Sequence, residues 1–468
     1  MSRSYPRSDP SPTAMAWLQD LMSARLGVAV TLEPGAEVWV MRLAGAEGDI
    51  RFPRQLADLG QGQAPQTCHR IAVTGPDMPF DTLVAPGLDT SPGQLIAHDG
   101  ATLNVAYDLP GLILWALTRC EEIGREEVLD RFGRFPASAS HAMRFDYLDR
   151  PVVDEWLLTL SHVLRKAWPA LRVPSPDPKT EPSHDVDRPS RYGFTDAKTL
   201  VRRMAGDLRR GLGPGTVLRA PQMRRQAERR LPPDDPANNF DWIMDQSEQL
   251  GLQSTFYFIT HPHPHPEDPR YPFDSPAIRG LMQRIDARGH AIGLHPSLGS
   301  FRAPERIAAE AERLRQMLDK LALRQDPAGA RMHYLQWRAE TTPVALAAAG
   351  LAHDATLGFA DRPGFRAGTA HSYPWYDLAS DSRPDLIMRP LIVMDQCLIS
   401  PHYLGLSPQD ALEAGQALAA SAHAVGGTFT LLWHNDMFST PFLRNLYVGL
   451  LGKELSDRQL EIGPGSQW

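Results

Sequence analysis

The second half of the chain predicts an α/β fold with parallel strands, preceded by a smaller α+β unit. Three observations carry that expectation. From about residue 240, strand-like apolar runs alternate with helical periodicity at short spacing, which favours parallel strands joined by crossover helices. The first hundred residues behave differently, with short β-type runs broken by Gly and Pro. Between the two regimes lies VPSPDPKTEP, residues 173–182, with four prolines in ten positions. Such a stretch reads as an extended linker. The expected division is therefore 1–172, a linker at 173–182, and 183–468.

Taken in order, residues 14–26 carry Met15, Leu18, Leu21 and Met22 at helical spacing. VAVTL and VWVMRL follow as short strands, and 109–123 and 152–168 read as helices. After the linker, 240–250 is a helix and STFYFI (254–259) an aromatic strand. Helix 277–288 leads to strand HAIGLH (290–295), then the long helix 303–323, a short one at 344–349 and a late strand TFTLLW (428–433). Either a (β/α) barrel or an open doubly wound sheet accommodates this pattern. No GxGxxG or Walker loop opens a helix, so a dinucleotide or P-loop site has no support.

Composition narrows the class. The chain has 468 residues, 42% hydrophobic and 22% charged, enough for a substantial core. A formal charge of −7 argues against a protein whose whole surface binds nucleic acid, and none is expected as a partner. Three scattered cysteines, Cys68, Cys120 and Cys397, form neither a disulfide framework nor a metal knuckle. No export signal and no run near 18 apolar residues is found, so a cytoplasmic protein without a transmembrane segment is expected. One segment departs from the acidic balance: 198–230 holds ten basic residues against Asp207 and Glu228. Leu200, Met204 and Leu208 sit four apart there, an amphipathic helix with an Arg-rich face. It reads either as a solvated face or as a dock for an anionic surface such as membrane headgroups.

Chemistry concentrates after the linker. In Ser183-His184-Asp185-Val186-Asp187 the two aspartates are two apart, on one face of an extended strand. Two carboxylates held together are stabilised by a divalent cation, one as ligand and the other as a base beside it. His295 ends HAIGL and His434 ends TFTLLW. In a parallel sheet the strand C-termini share one side, so Asp187, His295 and His434 could converge without being close in sequence. His261, His263 and His265 alternate with prolines, and a polyproline arm splays them apart, which disfavours joint ligation. Trp337, Trp375 and Tyr376 read as sugar-stacking walls or as core.

SHDVD, GHAIGLHPS, RMHY, HDATLGFADRPGFRAG and LLWH occur in an order that resembles the NodB-homology polysaccharide deacetylases, the family-4 carbohydrate esterases. The resemblance covers roughly 183–437. The whole chain is similar to a two-domain bacterial subgroup, in which an uncharacterised domain with motifs like TRCEEIGREE and RFGRFPAS precedes the deacetylase part. It implies a deformed (β/α) barrel and a metal-dependent hydrolase acting on C–N bonds. That enzyme would remove acetyl groups from an N-acylated sugar or glycoconjugate, with a divalent cation, zinc above all. It implies Asp185 as general base, Asp187 and His295 as metal ligands, and Arg331 as partner of the base. His434 would be the general acid, and Asp354 the aspartate that orients it.

The chain departs from the pattern at Gly299, where the family has a second histidine. Two protein ligands fall short of the three usual in catalytic zinc sites. His290 faces away from His295 along the strand, whereas His333, inside RMHY, should border the same pocket and is expected as third ligand. Water or Ser297 is the other possibility. A degenerate relative that binds a glycan or partner without hydrolysis is the alternative function. Deamination or ring opening of a cyclic amide would change the substrate only.

Overall fold

The computed structural model describes residues 10–453 apart from 57–58, 74–77, 89–94, 173, 175–176, 210 and 262–266. His263 and His265 of the His-Pro tract therefore lie outside the described residues. The architecture is mixed α/β. The first half opens with the helix Pro12–Leu26, started by Ser11, whose side chain accepts from the Ala14 amide, and closed by left-handed Gly27. Its sheet runs in the order Val30–Pro34, Val38–Leu43, Ile50–Pro53, Thr102–Val105, Ile96–Asp99, antiparallel except that Ile50–Pro53 and Thr102–Val105 run parallel. A separate ladder pairs Cys68–Ala72 with Thr82–Pro86. The helices Leu109–Leu117 and Val152–Ala167 bury their apolar faces.

The second half is built on parallel strands in the order Ala291–Leu294, Thr255–Phe258, Lys179–Val186, Thr428–Leu432, Val393–Met394. The array continues past Ala291–Leu294. Ala330 forms a single parallel rung between Leu294 and Asp354, and His353–Asp354 pairs in parallel with Ile387–Met388. Among the described residues no ladder joins Ile387–Met388 to Val393–Met394. The chain simply passes from one to the other, so the ring of strands does not close by hydrogen bonding. Helices such as Phe240–Gln249, Pro276–Ala287, Pro304–Lys320 and Pro408–Ala424 supply the crossovers. Phe256, Tyr257 and Phe258 are all buried, as expected of strands covered on both faces. Gly293 sits opposite Tyr257, whose ring would lie 2.5 Å from an added Cβ.

The linker expectation needs correcting. Lys179–Pro182 is the first half of the central strand and pairs with Thr428–Leu431. Proline is tolerated because this part is paired on one side only; pairing with Thr255–Phe258 begins at Ser183.

The two halves share one continuous core. Trp17 donates to the Pro374 carbonyl at 2.9 Å, and Tyr373 to that of Leu117 at 2.9 Å. Between them lies a buried ion network in which Glu122 accepts from Arg119 at 2.8 Å and from Arg366 at 2.5 Å, while Arg119 also reaches Glu121 at 2.7 Å. Burial works against a charged Glu122, but Arg366 and Arg119 outweigh it and hold the carboxyl below its ordinary range. Trp337, Trp375 and Tyr376 are each at most 2% exposed, so they belong to this core and not to a sugar-binding wall.

Candidate metal and catalytic site

The parallel strands direct their C-terminal ends to one side, and the polar groups expected from the sequence gather there. Asp185 lies near the end of Lys179–Val186 and Asp187 just beyond it. The pleat turns both toward the His295 ring, whose Nε2 is 3.5 Å from Asp185 Oδ2 and 3.4 Å from Asp187 Oδ1. His333 Nε2 approaches Asp187 Oδ1 at 3.7 Å. Ligand atoms of Asp187, His295 and His333 all lie within 4.8 Å of one another. His434 stands on the other side of Asp187, with Nε2 at 3.8 Å from Oδ2.

The histidines are held by their other ring nitrogens. His295 Nδ1 bonds the Arg331 carbonyl, and His333 Nδ1 bonds Asp268 Oδ1 at 2.8 Å. Both Nε2 atoms are thereby turned inward, the arrangement of metal-binding imidazoles whose tautomer is fixed from outside. Asp187 Oδ1 and His295 Nε2 are buried and make no hydrogen bond. Two buried acceptors facing each other are costly unless a cation or a proton lies between them. The donor set, one carboxylate and two imidazoles, suits a catalytic zinc site, so the residues present fit a divalent metal.

Electrostatics agree with that reading. Burial disfavours the Asp187 carboxylate, yet His333 and His295 outweigh it and keep the group well below the ordinary range. Burial likewise disfavours a charged His333, but Asp187 and Asp268 raise it to about 9. In the metal-free protein a proton and a cation therefore compete for the same atoms.

Arg331 follows the Ala330 rung and reaches Asp185 Oδ1 at 3.1 Å, Ser183 Oγ at 2.8 Å and the Ala355 carbonyl at 3.1 Å. Arg331 is thus a buried partner of Asp185, the pairing that the resemblance implies. Asp354 is not the partner of His434. It is fully buried, accepts from Trp337 Nε1 at 2.8 Å and from the Thr356 amide at 2.8 Å, and so fixes a turn in the core. The aspartate at His434 is Asp395, with Oδ1 2.8 Å from Nδ1 and Oδ2 2.7 Å from the backbone N–H. Asp395 follows the two-residue strand Val393–Met394, so the strand-end logic that found His295 and His434 points to it as well. Burial pulls His434 down, but Asp395, aided by Asp187 and Asp185, raises it to about 10.

Sequence reasoning also missed Asp268 and Glu310. Asp268 joins two loops by accepting from His333 and from the Leu298 amide at 3.0 Å. Glu310 accepts from the Ser297 amide at 2.9 Å and from its hydroxyl, so that hydroxyl is engaged by a carboxylate outside the Asp187–His295–His333 group. His290 is 2% exposed at the opposite strand end, where it accepts from the Ser254 amide at 3.0 Å. Gly299 lies beside the His333 turn and donates to Gln336 Oε1 at 2.7 Å. It has φ +81, and an added Cβ would find nothing nearer than Arg306 at 3.9 Å. Gly299→His therefore costs about 1–2 kcal/mol from the left-handed backbone alone. Urea unfolding should show that loss, with zinc affinity unimproved over wild type.

The cluster opens into a cavity of about 770 Å³ whose walls include Asp185, Asp187, His333, Tyr334 and His434. One wall comes from the first half of the chain. Arg134 donates to the Tyr334 carbonyl at 3.1 Å, Gln336 to that of Phe132 at 2.7 Å, and Phe132 packs on Tyr334 with ring centres 4.8 Å apart. Tyr334 and Leu335 both have positive φ, 61 and 53, a strained turn directly after His333. A second cleft, about 530 Å³, shares Asp187, Arg188, Glu267, His333 and Tyr334 with the first.

Residues 66–169, which include that wall, match the model of a family of unknown function, DUF7033. No curated protein matches the chain. A solved structure described as "putative polysaccharide deacetylase from Mycobacterium smegmatis" is similar at 17% identity, covering 60% of this chain and 85% of that one, with a TM-score of 0.38. Among the described residues no helix is long and apolar enough to cross a membrane.

Proposed function

We propose that the protein is a metal-dependent hydrolase that removes an acyl group, acetyl in the simplest case, from an N-acylated sugar or glycoconjugate. The observation that carries the reading is the Asp187–His295–His333 triad with its two orphaned acceptors, flanked by an Arg-paired carboxylate and an Asp-paired histidine. The arc of parallel strands is read with it as a deformed (β/α) barrel, whose loops gather the site at the strand C-termini.

A divalent cation held by the triad, zinc by its donor set, would acidify a water and polarise the acyl carbonyl. The chain supplies the remaining steps. Asp185, oriented by Arg331, accepts the proton of the attacking water. His434 carries a proton at neutral pH because Asp395 stabilises it, and Nε2 faces the cavity. It delivers that proton to the leaving nitrogen, which departs poorly as an amide anion. Asp395 holds the ring in the tautomer that this transfer requires.

Gly299 is the residue that favours a catalytically silent glycan binder. Its weight falls because His333, on the neighbouring loop, offers the third ligand. The test is acetate release from N-acetylglucosamine oligomers by protein stripped with chelator, then titrated with zinc. Activity that returns at one equivalent of zinc supports the hydrolase. Tight oligomer binding with neither zinc uptake nor acetate release would replace it with the binder.

A further inference from the structure

The segment 198–230 carries a surface that the proposed chemistry does not use. It folds as the helices Ala197–Arg209, Pro214–Leu218 and Ala220–Ala227. Leu200 and Met204 pack inward on Tyr192, Ala220 and Met223, but Leu208, expected on the same buried stripe, is 51% exposed. Val201 is 64% exposed and Leu218 76%. Val201 and Leu208 are two turns apart, so they share one side of the helix, with exposed Ala205 beside them. Lys198, Arg202 and Arg209 flank that stripe and are exposed as well. The only carboxylate within Ala197–Arg209, Asp207, is buried and paired with Arg191 at 2.7 Å. The outward face is thus apolar on one flank and mainly cationic on the other, where exposed Asp196, just before the helix, offsets part of the charge of Arg202.

We infer that this face docks on an anionic lipid surface. Exposed Val and Leu beside Lys and Arg are the two components of an interfacial helix: apolar side chains enter the headgroup boundary while cations meet lipid phosphates. Charge complementarity selects the partner, because a neutral bilayer gives the basic flank nothing and a soluble polyanion gives the apolar flank nothing. Arg219 and Arg224 are already committed, to Asp234 at 2.5 Å and to the Thr195 carbonyl at 2.6 Å, and contribute less. The other flank of the Ala197–Arg209 helix, through Thr199 and Arg203, walls the second cleft beside His333. Docking would hold this wall of the site at the lipid surface.

The test is flotation of the full chain with phosphatidylcholine vesicles containing 30% phosphatidylglycerol, against phosphatidylcholine alone. At least tenfold stronger binding to the anionic vesicles is expected. It should fall at least tenfold in Lys198→Glu/Arg202→Glu/Arg209→Glu and, separately, in Val201→Asp/Leu208→Asp/Leu218→Asp, both checked for unchanged melting. Equal binding to the two vesicle types, or no binding, overturns the inference. So does full vesicle binding by the aspartate variant together with duplex DNA binding by the wild type, which would make the face a plain polyanion site. Vesicle binding needs neither metal nor turnover, so its failure leaves the hydrolase reading standing.

Discussion

His333→Ala is expected to lose zinc binding by more than about 100-fold and acetate release with it, since altering an outer partner of a ligand alone costs about 10–100-fold. The reason lies in the triad: without His333, Asp187 and His295 are what remains of the ligand group found among the described residues. Asp268→Asn provides the graded control. Asp268 is a positioning residue that holds His333 through Nδ1, so its loss should weaken zinc by about 10–100-fold and be rescued by excess metal. His333→Ala should not be rescued. Equilibrium dialysis against zinc reads both variants, and native-like zinc affinity in His333→Ala would remove it from the ligand set. Raising pH should tighten zinc binding in the wild type, because the proton on His333, raised to about 9, must leave before the metal is held.

The second large effect falls on the proposed proton donor. His434→Ala should slow acetate release from an N-acetyl sugar by about 10²–10⁴-fold. Hydrolysis of 4-nitrophenyl acetate should be far less affected, because nitrophenolate leaves without being protonated. Asp395→Asn should act in the same direction on the amide, since the carboxylate that keeps His434 charged at neutral pH is gone. Asp354→Asn, by contrast, should alter stability rather than the ratio of amide to ester rates, because the Asp354 carboxylate is engaged by Trp337 and Thr356 rather than by His434. Paired rate measurements on the two substrates decide the matter. Equal losses on both would deny His434 the role of proton donor.

Much of the site is legible in the sequence because parallel strands impose a shared geometry. His295 and His434 each follow a strand whose apolar run is long enough to read, and with Asp187 placed just after SHDV that shared position predicts convergence. His333 was reachable only through its motif, as no periodicity surrounds it. Asp395 escapes the reading because the strand it follows, Val393–Met394, is too short for alternation to register, and Asp354, implied by the resemblance alone, lies inside the two-residue strand His353–Asp354. Asp268 and Glu310 gave no signal. Their roles arise from contacts across 65 and 13 residues, which only tertiary structure brings about. The prolines of 173–182 concealed the start of the central strand, since Pro182 is acceptable only where its neighbour on one side is missing. Leu208 kept its helical period but faces solvent, because the helix lies on the surface and packs through one narrow stripe.

The most direct test is anomalous diffraction at the zinc edge from crystals of the full chain grown with one equivalent of zinc. The expected result is one strong peak at about 2.0–2.2 Å from an Asp187 oxygen and from Nε2 of both His295 and His333. A peak lacking His333, or no peak between these three side chains, would contradict the account.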